Sequence, residues 1–222
     1  MARTGRPRGF DRDQAVVGAM HAFWEYGFDG TSLERLREAM GGISSASFYA
    51  AFGSKEALYR EAVARYLETH GRVATALRDE TLAPRARLET ALRDSARMQA
   101  DPSHPTGCMV ALAAATRSND SSVAHELTAR ERAANRHAIR ECVRSAVDSG
   151  ELGPDTDIDG LATLFDGLLV GISIAARDGV GAASLDAAIT NALAAWDASA
   201  TGFCFAGGTT GRDRCKRPDA SP

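Results

Sequence analysis

Residues 31–58, TSLERLREAMGGISSASFYAAFGSKEAL, decide how the rest of the chain is read. They spell a short amphipathic helix, a glycine turn, a second short helix of small residues, and the start of a third. Thr31 is placed to cap the first helix, with Glu34 three residues on as a capping box requires. Leu33, Leu36 and Met40 then share one helical face. Gly41 and Gly42 end that helix, because glycine reaches left-handed dihedrals without a steric penalty. Ile43 restores an apolar contact, and the next helix is expected over 44–51, burying Phe48 and Phe52. Ser54, after Gly53, caps the third. Two short helices about a glycine turn are the grammar of a helix-turn-helix, whose second helix enters the DNA major groove. The stretch predicts a DNA-reading element.

Upstream, Asp11 and Gln14 open a helix to about residue 26. Ala15, Val16, Ala19, Met20, Phe23 and Trp24 recur at helical spacing, a face to pack on the helix-turn-helix. Gly27 ends it and Phe28 tucks back. Residues 1–10 form a polar arm with Arg3, Arg6 and Arg8 and no acid. Such an arm either reaches an adjacent minor groove or is merely unfolded.

Downstream, a connecting helix runs over 55–70, with Leu58, Ala62 and Tyr66 on one side. Pro84 suits the first turn of a helix to about residue 100. DPSHPTG is a loop, and residues 107–117 make a short, nearly all-apolar helix that reads as buried. Asp120 or Ser121 caps a long helix to about 149, closed by Gly150. Asp157 starts another, carrying Ile158, Leu161, Phe165, Leu168 and Ile172. Ser184 starts the last, with Leu185, Ile189, Leu193 and Trp196. No strand pattern of any length is present, so the fold class is all-α. The expected divisions are an arm at 1–10, a helix-turn-helix domain at 11–54, a larger helical domain at 55–198 and a disordered tail at 199–222. The tail is rich in Gly, Thr and Pro, and its Arg212, Arg214, Lys216 and Arg217 either touch DNA non-specifically or are simply solvated.

Composition bounds the partners. The 222 residues are 44% hydrophobic and 25% charged, ordinary globular values. A net charge of −3 is a poor sign of nucleic-acid binding taken alone, but distribution matters more than the sum, and a basic arm precedes an acidic body. Cys108, Cys142, Cys204 and Cys215 show no CxxC and no zinc-like spacing with histidine, so no metal and no cofactor is expected. There is no apolar segment of a secretory signal and no run suited to a membrane, which leaves a cytoplasmic protein with reduced thiols. None of the five histidines lies in a nucleophile, metal or phosphate-cradling motif, so an enzyme is not expected. A helical protein-interaction scaffold is the remaining alternative.

FWEYGFDGTSLERLREAM at 23–40 and SFYAAFGSKEALYREAV at 47–63 resemble the DNA-binding domain of the tetracycline-repressor-like (TetR/AcrR) regulators, through Tyr49, Phe52, Lys55, Glu56 and Leu58. HPTGCMVALAAAT at 104–116 and SGELGPDTDIDGLATLFDGLLVGI at 149–172 resemble one branch of that family more weakly. The resemblance covers residues 6–198. It implies that Thr31, Tyr49 and Lys55 bind phosphate, the alternatives being that Thr31 only caps, Tyr49 only packs and Lys55 is solvated. Lys55, in a first helical turn, is suitably placed for an anion. The expected reading helix holds no Arg, Lys, Asn or Gln, the side chains that make bidentate base contacts. Readout then falls to the hydroxyls of Ser44, Ser45 and Ser47, to Ala46 or Ala50 against thymine methyls, and to DNA shape. Weak half-sites call for a homodimer on a palindromic operator. Relative to the commonest family pattern, GGISS holds one residue more in the turn, and Ser45 stands where proline is frequent.

The resemblance also implies a ligand pocket and a dimer interface in the C-terminal helices, and a regulator, more often a repressor, released by a small, mainly apolar effector. Met98, Met109, Leu112 and Phe165 are candidate pocket residues, or simply core. Gly160, Gly167 and Gly171 interrupt an apolar helix, which is easiest to explain by a closely approaching helix. Gly167, Gly171, Leu185, Ile189 and Trp196 are therefore candidates for a four-helix dimer bundle, intrachain packing being the other reading. Cys108 and Cys142 are either redox-active or buried and inert. Ligand binding would shift the connecting helix and change the separation of two reading helices.

Overall fold

The computed structural model describes residues 10–114 and 122–200. Among these the chain is helical, with no strand. Helix α1 (Arg12–Gly30) is capped by Asp11, whose carboxylate accepts from the Asp13 and Gln14 amides at 3.0 and 3.1 Å. Gly27, at φ 72°, breaks it where expected. Phe28 then stacks on Phe23, ring centres 5.9 Å apart. Gly18 lets the next helix cross at contact, since a Cβ there would lie 2.0 Å from the Ala39 carbonyl oxygen.

Helix α2 (Leu33–Ala39) is capped by Ser32, not Thr31. Ser32 Oγ accepts from the Arg35 amide, so Glu34 falls one residue short of a capping box. Thr31 closes α1 instead: its hydroxyl turns inward and donates to the carbonyls of Gly27 and Ala22. Leu36 and Met40 are buried, but Leu33 is exposed. Helix α3 (Ser45–Phe52) is capped by Ser44. Helix α4 (Lys55–Glu68) follows, with Ser54 accepting from the Ala57 amide at 3.1 Å. A 3₁₀ segment, His70–Arg78, comes next and had no clear sequence signal.

The body holds α5 (Pro84–Gln99), the four-residue α6 (Met109–Leu112), α7 (Ser122–Asp148), α8 (Ile158–Arg177) and α9 (Ala182–Ala200). Asp157 caps α8 through the Gly160 amide at 3.0 Å. By length and composition α8 could cross a membrane; here it packs against α5, α7 and α9. Two apolar clusters organise the molecule. One joins α1–α4 and takes in Met109, Val110 and Ala124 from the body. The other is built on Leu88, Ile139, Phe165 and Trp196. The connecting helix α4 packs chiefly along α1.

The reading unit is tied to the body at Trp24. Its indole N–H donates to the Gly107 carbonyl at 3.1 Å. Its ring stacks on His104 at 4.6 Å and meets Tyr66 and His70 edge-on at 4.8 and 5.0 Å. Arg177, in the last turn of α8, donates to the Trp24 carbonyl at 2.9 Å and to the Glu25 carboxylate at 3.1 Å.

Candidate nucleic-acid interface

Helix α3 turns Phe48 and Phe52 into the core and leaves Ser45, Ala46, Tyr49 and Ala50 exposed. Tyr49 is 52% exposed, its ring resting edge-on against Phe48. Ser44 is exposed but committed: its Oγ accepts from the Ser47 amide at 3.1 Å and lies 2.9 Å from the Ser47 hydroxyl. Ser47 is only half-exposed. Of the three serines, Ser45 is the one on the outward face whose hydroxyl is not part of the cap. Arg37 holds the turn from behind, its Nε donating to the Ile43 carbonyl at 2.8 Å. No sequence pattern had singled it out.

Lys55 is the first residue of α4. Its ammonium sits 4.3 Å above the Phe28 ring. Partial burial draws its pKa below the usual lysine value, against the opposing pull of Asp29 and Glu56. Thr31 cannot present its hydroxyl to a phosphate from this position. It is fully buried, and its hydroxyl and amide are both spent on α1 carbonyls. Arg3, Arg6 and Arg8 lie outside the described residues, as do the tail cations, Cys204, Cys215 and the expected cap at Asp120 or Ser121.

A narrow cleft opens in the body between α4, the 3₁₀ segment, α5, α7 and α8. Three helices line it at helical spacing: Leu88, Leu92 and Gln99 from α5, Arg132, Arg136 and Ile139 from α7, and Asp166, Leu169 and Ser173 from α8. Met98 lines it too. Met109, Leu112 and Phe165 do not. Met109 is buried in the first cluster, Leu112 packs beside Gly107, and Phe165 is fully buried near Trp196. Sequence reading picked these by size and apolarity, which describe core as well as cavity. It passed over Gln99, Arg132, Arg136 and Asp166, whose only signal was polar residues on faces of otherwise packed helices.

The charged groups of the cleft carry the marks of desolvation. Burial raises the Asp166 pKa, with Arg136 opposing. Burial lowers that of Arg132, with Arg136 adding to the effect. Tyr66, on α4, donates its hydroxyl to Cys108 Sγ at 3.2 Å, and both residues line the cleft. Cys142 is elsewhere: its thiol donates to the Pro84 carbonyl at 3.0 Å, and burial pushes its pKa up to about 11.

The expected dimer residues divide. Leu185, Ile189 and Trp196 are all within 4% of full burial, because the apolar stripe of α9 faces its own chain. They are core. Gly167 and Gly171 are exposed, and a Cβ added to either would meet no atom within 4 Å. Leu164 and Ile174, on the same side of α8, are 45% and 54% exposed.

A two-helix reading unit with an outward second helix, carried on a helical body, defines a helix-turn-helix DNA-binding regulator. Residues 16–62 match the family model for bacterial regulatory proteins of the tetR family, and residues 84–199 match the tetracyclin repressor-like C-terminal domain. The chain belongs to the TetR family of transcriptional regulators. It is 34% identical over 187 residues to the HTH-type transcriptional repressor ComR of Escherichia coli (strain K12), covering 79% of this chain and 83% of that one. It is 31% identical over 163 residues to the uncharacterized HTH-type regulator YezE of Bacillus subtilis (strain 168), covering 71% and 81%. Among solved structures, a triple cysteine mutant of the TetR-family regulator CifR, complexed with 26-bp operator DNA, superposes with a TM-score of 0.78. It shares 41% identity and covers 86% of this chain and all of that one.

Proposed function

We propose that the protein is a repressor that binds a palindromic operator as a homodimer and is released by a small molecule held in the body. The observation that carries this is the free outward face of α3, with Tyr49 and Lys55 flanking it. Residues 11–54 act as the reading unit and residues 55–198 as the effector-binding and dimerising body. Tyr49 and Lys55 bind phosphate, Lys55 leaving the Phe28 ring to do so. Ser45, Ala46 and Ala50 face base edges, with Ser44 and Ser47 adding what their cap leaves over. Arg3, Arg6 and Arg8 reach the neighbouring minor groove. The partner copy covers Leu164, Gly167, Gly171 and Ile174, an apolar strip of α8 that the chain leaves open. Tyr66 belongs both to α4 and to the cleft wall, so an occupant there displaces α4 and, with it, the reading unit packed on α4.

The test is electrophoretic mobility shift with DNA flanking the protein's own gene. A specific, salt-sensitive complex with two copies per site is expected. No complex at low salt with any flanking sequence would overturn the proposal, and capture of another protein through the same helices would favour a scaffold.

A further inference from the structure

The cleft is mostly apolar, with Gln99 and Arg132 beside segment 107–110 and Arg136 and Asp166 further along, and one of these polar groups is incompletely satisfied. Gln99 is fully buried; its amide N–H donates to Ser95 Oγ at 2.7 Å, which leaves Oε1 without a partner. A buried carbonyl of this kind calls for a hydrogen-bond donor. Arg132, on the facing helix, donates to the Val110 carbonyl at 2.8 Å rather than to a carboxylate. The Gln99 backbone carbonyl in turn accepts from the Gly107 amide at 2.9 Å. The Gln99 backbone and the Arg132 side chain are thus tethered to one short segment, 107–110, beside Tyr66 and Cys108. Apolar side chains run alongside, interrupted by Ser95, Asn135, Arg136 and Asp166: Leu92 lies seven residues back along α5 and Ile139 seven residues on along α7. At 1.5 Å per residue that is about 10 Å, the reach of a medium-length alkyl chain.

We infer that the cleft takes an amphipathic hydroxy acid: a single carboxylate for the Arg132 guanidinium, a hydroxyl close to it that donates to Gln99 Oε1, and an apolar tail laid towards Leu92 and Ile139. This rests on the reading of the cleft as the effector site. A carboxylate alone supplies no donor for Gln99. A primary amine would supply the donor but would meet Arg132 and Arg136. An unsubstituted hydrocarbon would leave Gln99 Oε1 unpaired and the Arg132 charge without a counter-ion.

The experiment is titration calorimetry of the full chain with 2-hydroxyoctanoate, octanoate, octane-1,2-diol and octanol, followed by mobility shift with operator DNA at saturating ligand. 2-Hydroxyoctanoate is expected to bind at least about tenfold tighter than octanoate or the diol, the ratio one satisfied hydrogen bond supplies. Gln99→Leu erases the preference for the hydroxyl, and Arg132→Gln erases that for the carboxylate. The ranking on the unmodified chain decides the matter even if a variant fails to fold. Octanol binding as tightly as the hydroxy acid, or no binding by any of the four, overturns the assignment. The expected ranking without release of operator DNA supports the ligand class and overturns the effector reading.

Discussion

Two residues that look equivalent in the sequence do opposite things in the fold. Lys55 and Thr31 both stand at helix starts, yet Lys55 carries a half-buried ammonium over the Phe28 ring while the Thr31 hydroxyl is sealed inside. A cation held partly out of water by an aromatic face loses little on transfer to a phosphate, because its hydration is already reduced. Lys55→Ala should weaken DNA binding across all sequences and lower the slope of log affinity against log salt by about one; a change confined to one base pair would make Lys55 a base reader. Thr31→Val should leave that slope unchanged. It should instead lower stability by about 1 kcal/mol, seen in urea melts, since it removes the hydroxyl donated to the Gly27 and Ala22 carbonyls. The two variants separate a DNA contact from a helix closure.

Among the elements, α1 and α2 cross with Gly18 directly against the Ala39 backbone. Gly18→Ala would drive a methyl group into the Ala39 carbonyl, a backbone atom that cannot swing away. It should destabilise the reading unit by roughly 1–3 kcal/mol, seen as a melting midpoint several degrees lower and a weakened DNA affinity. The seam between reading unit and body holds His21, His70 and His104 around Trp24. Burial holds His21 and His70 below the ordinary imidazole value. His104 adds to this for both, and His21 adds for His70, where Asp101 opposes. The unfolded chain takes up these protons near pH 6.5 and the folded chain resists them. Their contribution is therefore complete above that pH and is lost as the pH falls through it towards the folded values. The urea midpoint should drop between pH 7.5 and 5.5, and His21→Gln should flatten that drop; equal slopes would remove His21 from the account. The elements themselves were legible: Asp11, Gly27, Gly41, Ser54 and Asp157 mark ends by local chemistry that packing does not override. Thr31 and Ser32 are both good caps in isolation, and only the carbonyls at the end of α1 decide between them. The cleft was largely illegible, because Gln99 and Arg132 become neighbours through helices far apart in the chain. The inward stripe of α9 was read correctly as an apolar face, but its partner is its own chain.

At the scale of the whole molecule, α8 is the element on which the separate parts meet. Its inner face holds Phe165 and Ile172 in the core, Asp166 and Ser173 line the cleft, and Leu164 and Ile174 remain exposed. Ile174→Glu should keep the melting profile of the monomer fold while shifting the mass by light scattering from two copies to one, with loss of operator affinity as half-sites stop acting together. A protein that stays monomeric without the substitution would refute the interface. The final turn of α8 ends in Arg177, whose guanidinium grips the Trp24 carbonyl and the Glu25 side chain. That grip makes α8 a calliper. In the proposed dimer the exposed strip of α8, from Leu164 to Ile174, would meet the twin subunit while its last turn clasps α1 of the reading unit, so this one helix would gauge the gap between the two reading units. Loosening the clasp with Arg177→Ala should let the pair tolerate operators whose halves have been moved apart or together by a base pair, at some loss of affinity for the native spacing.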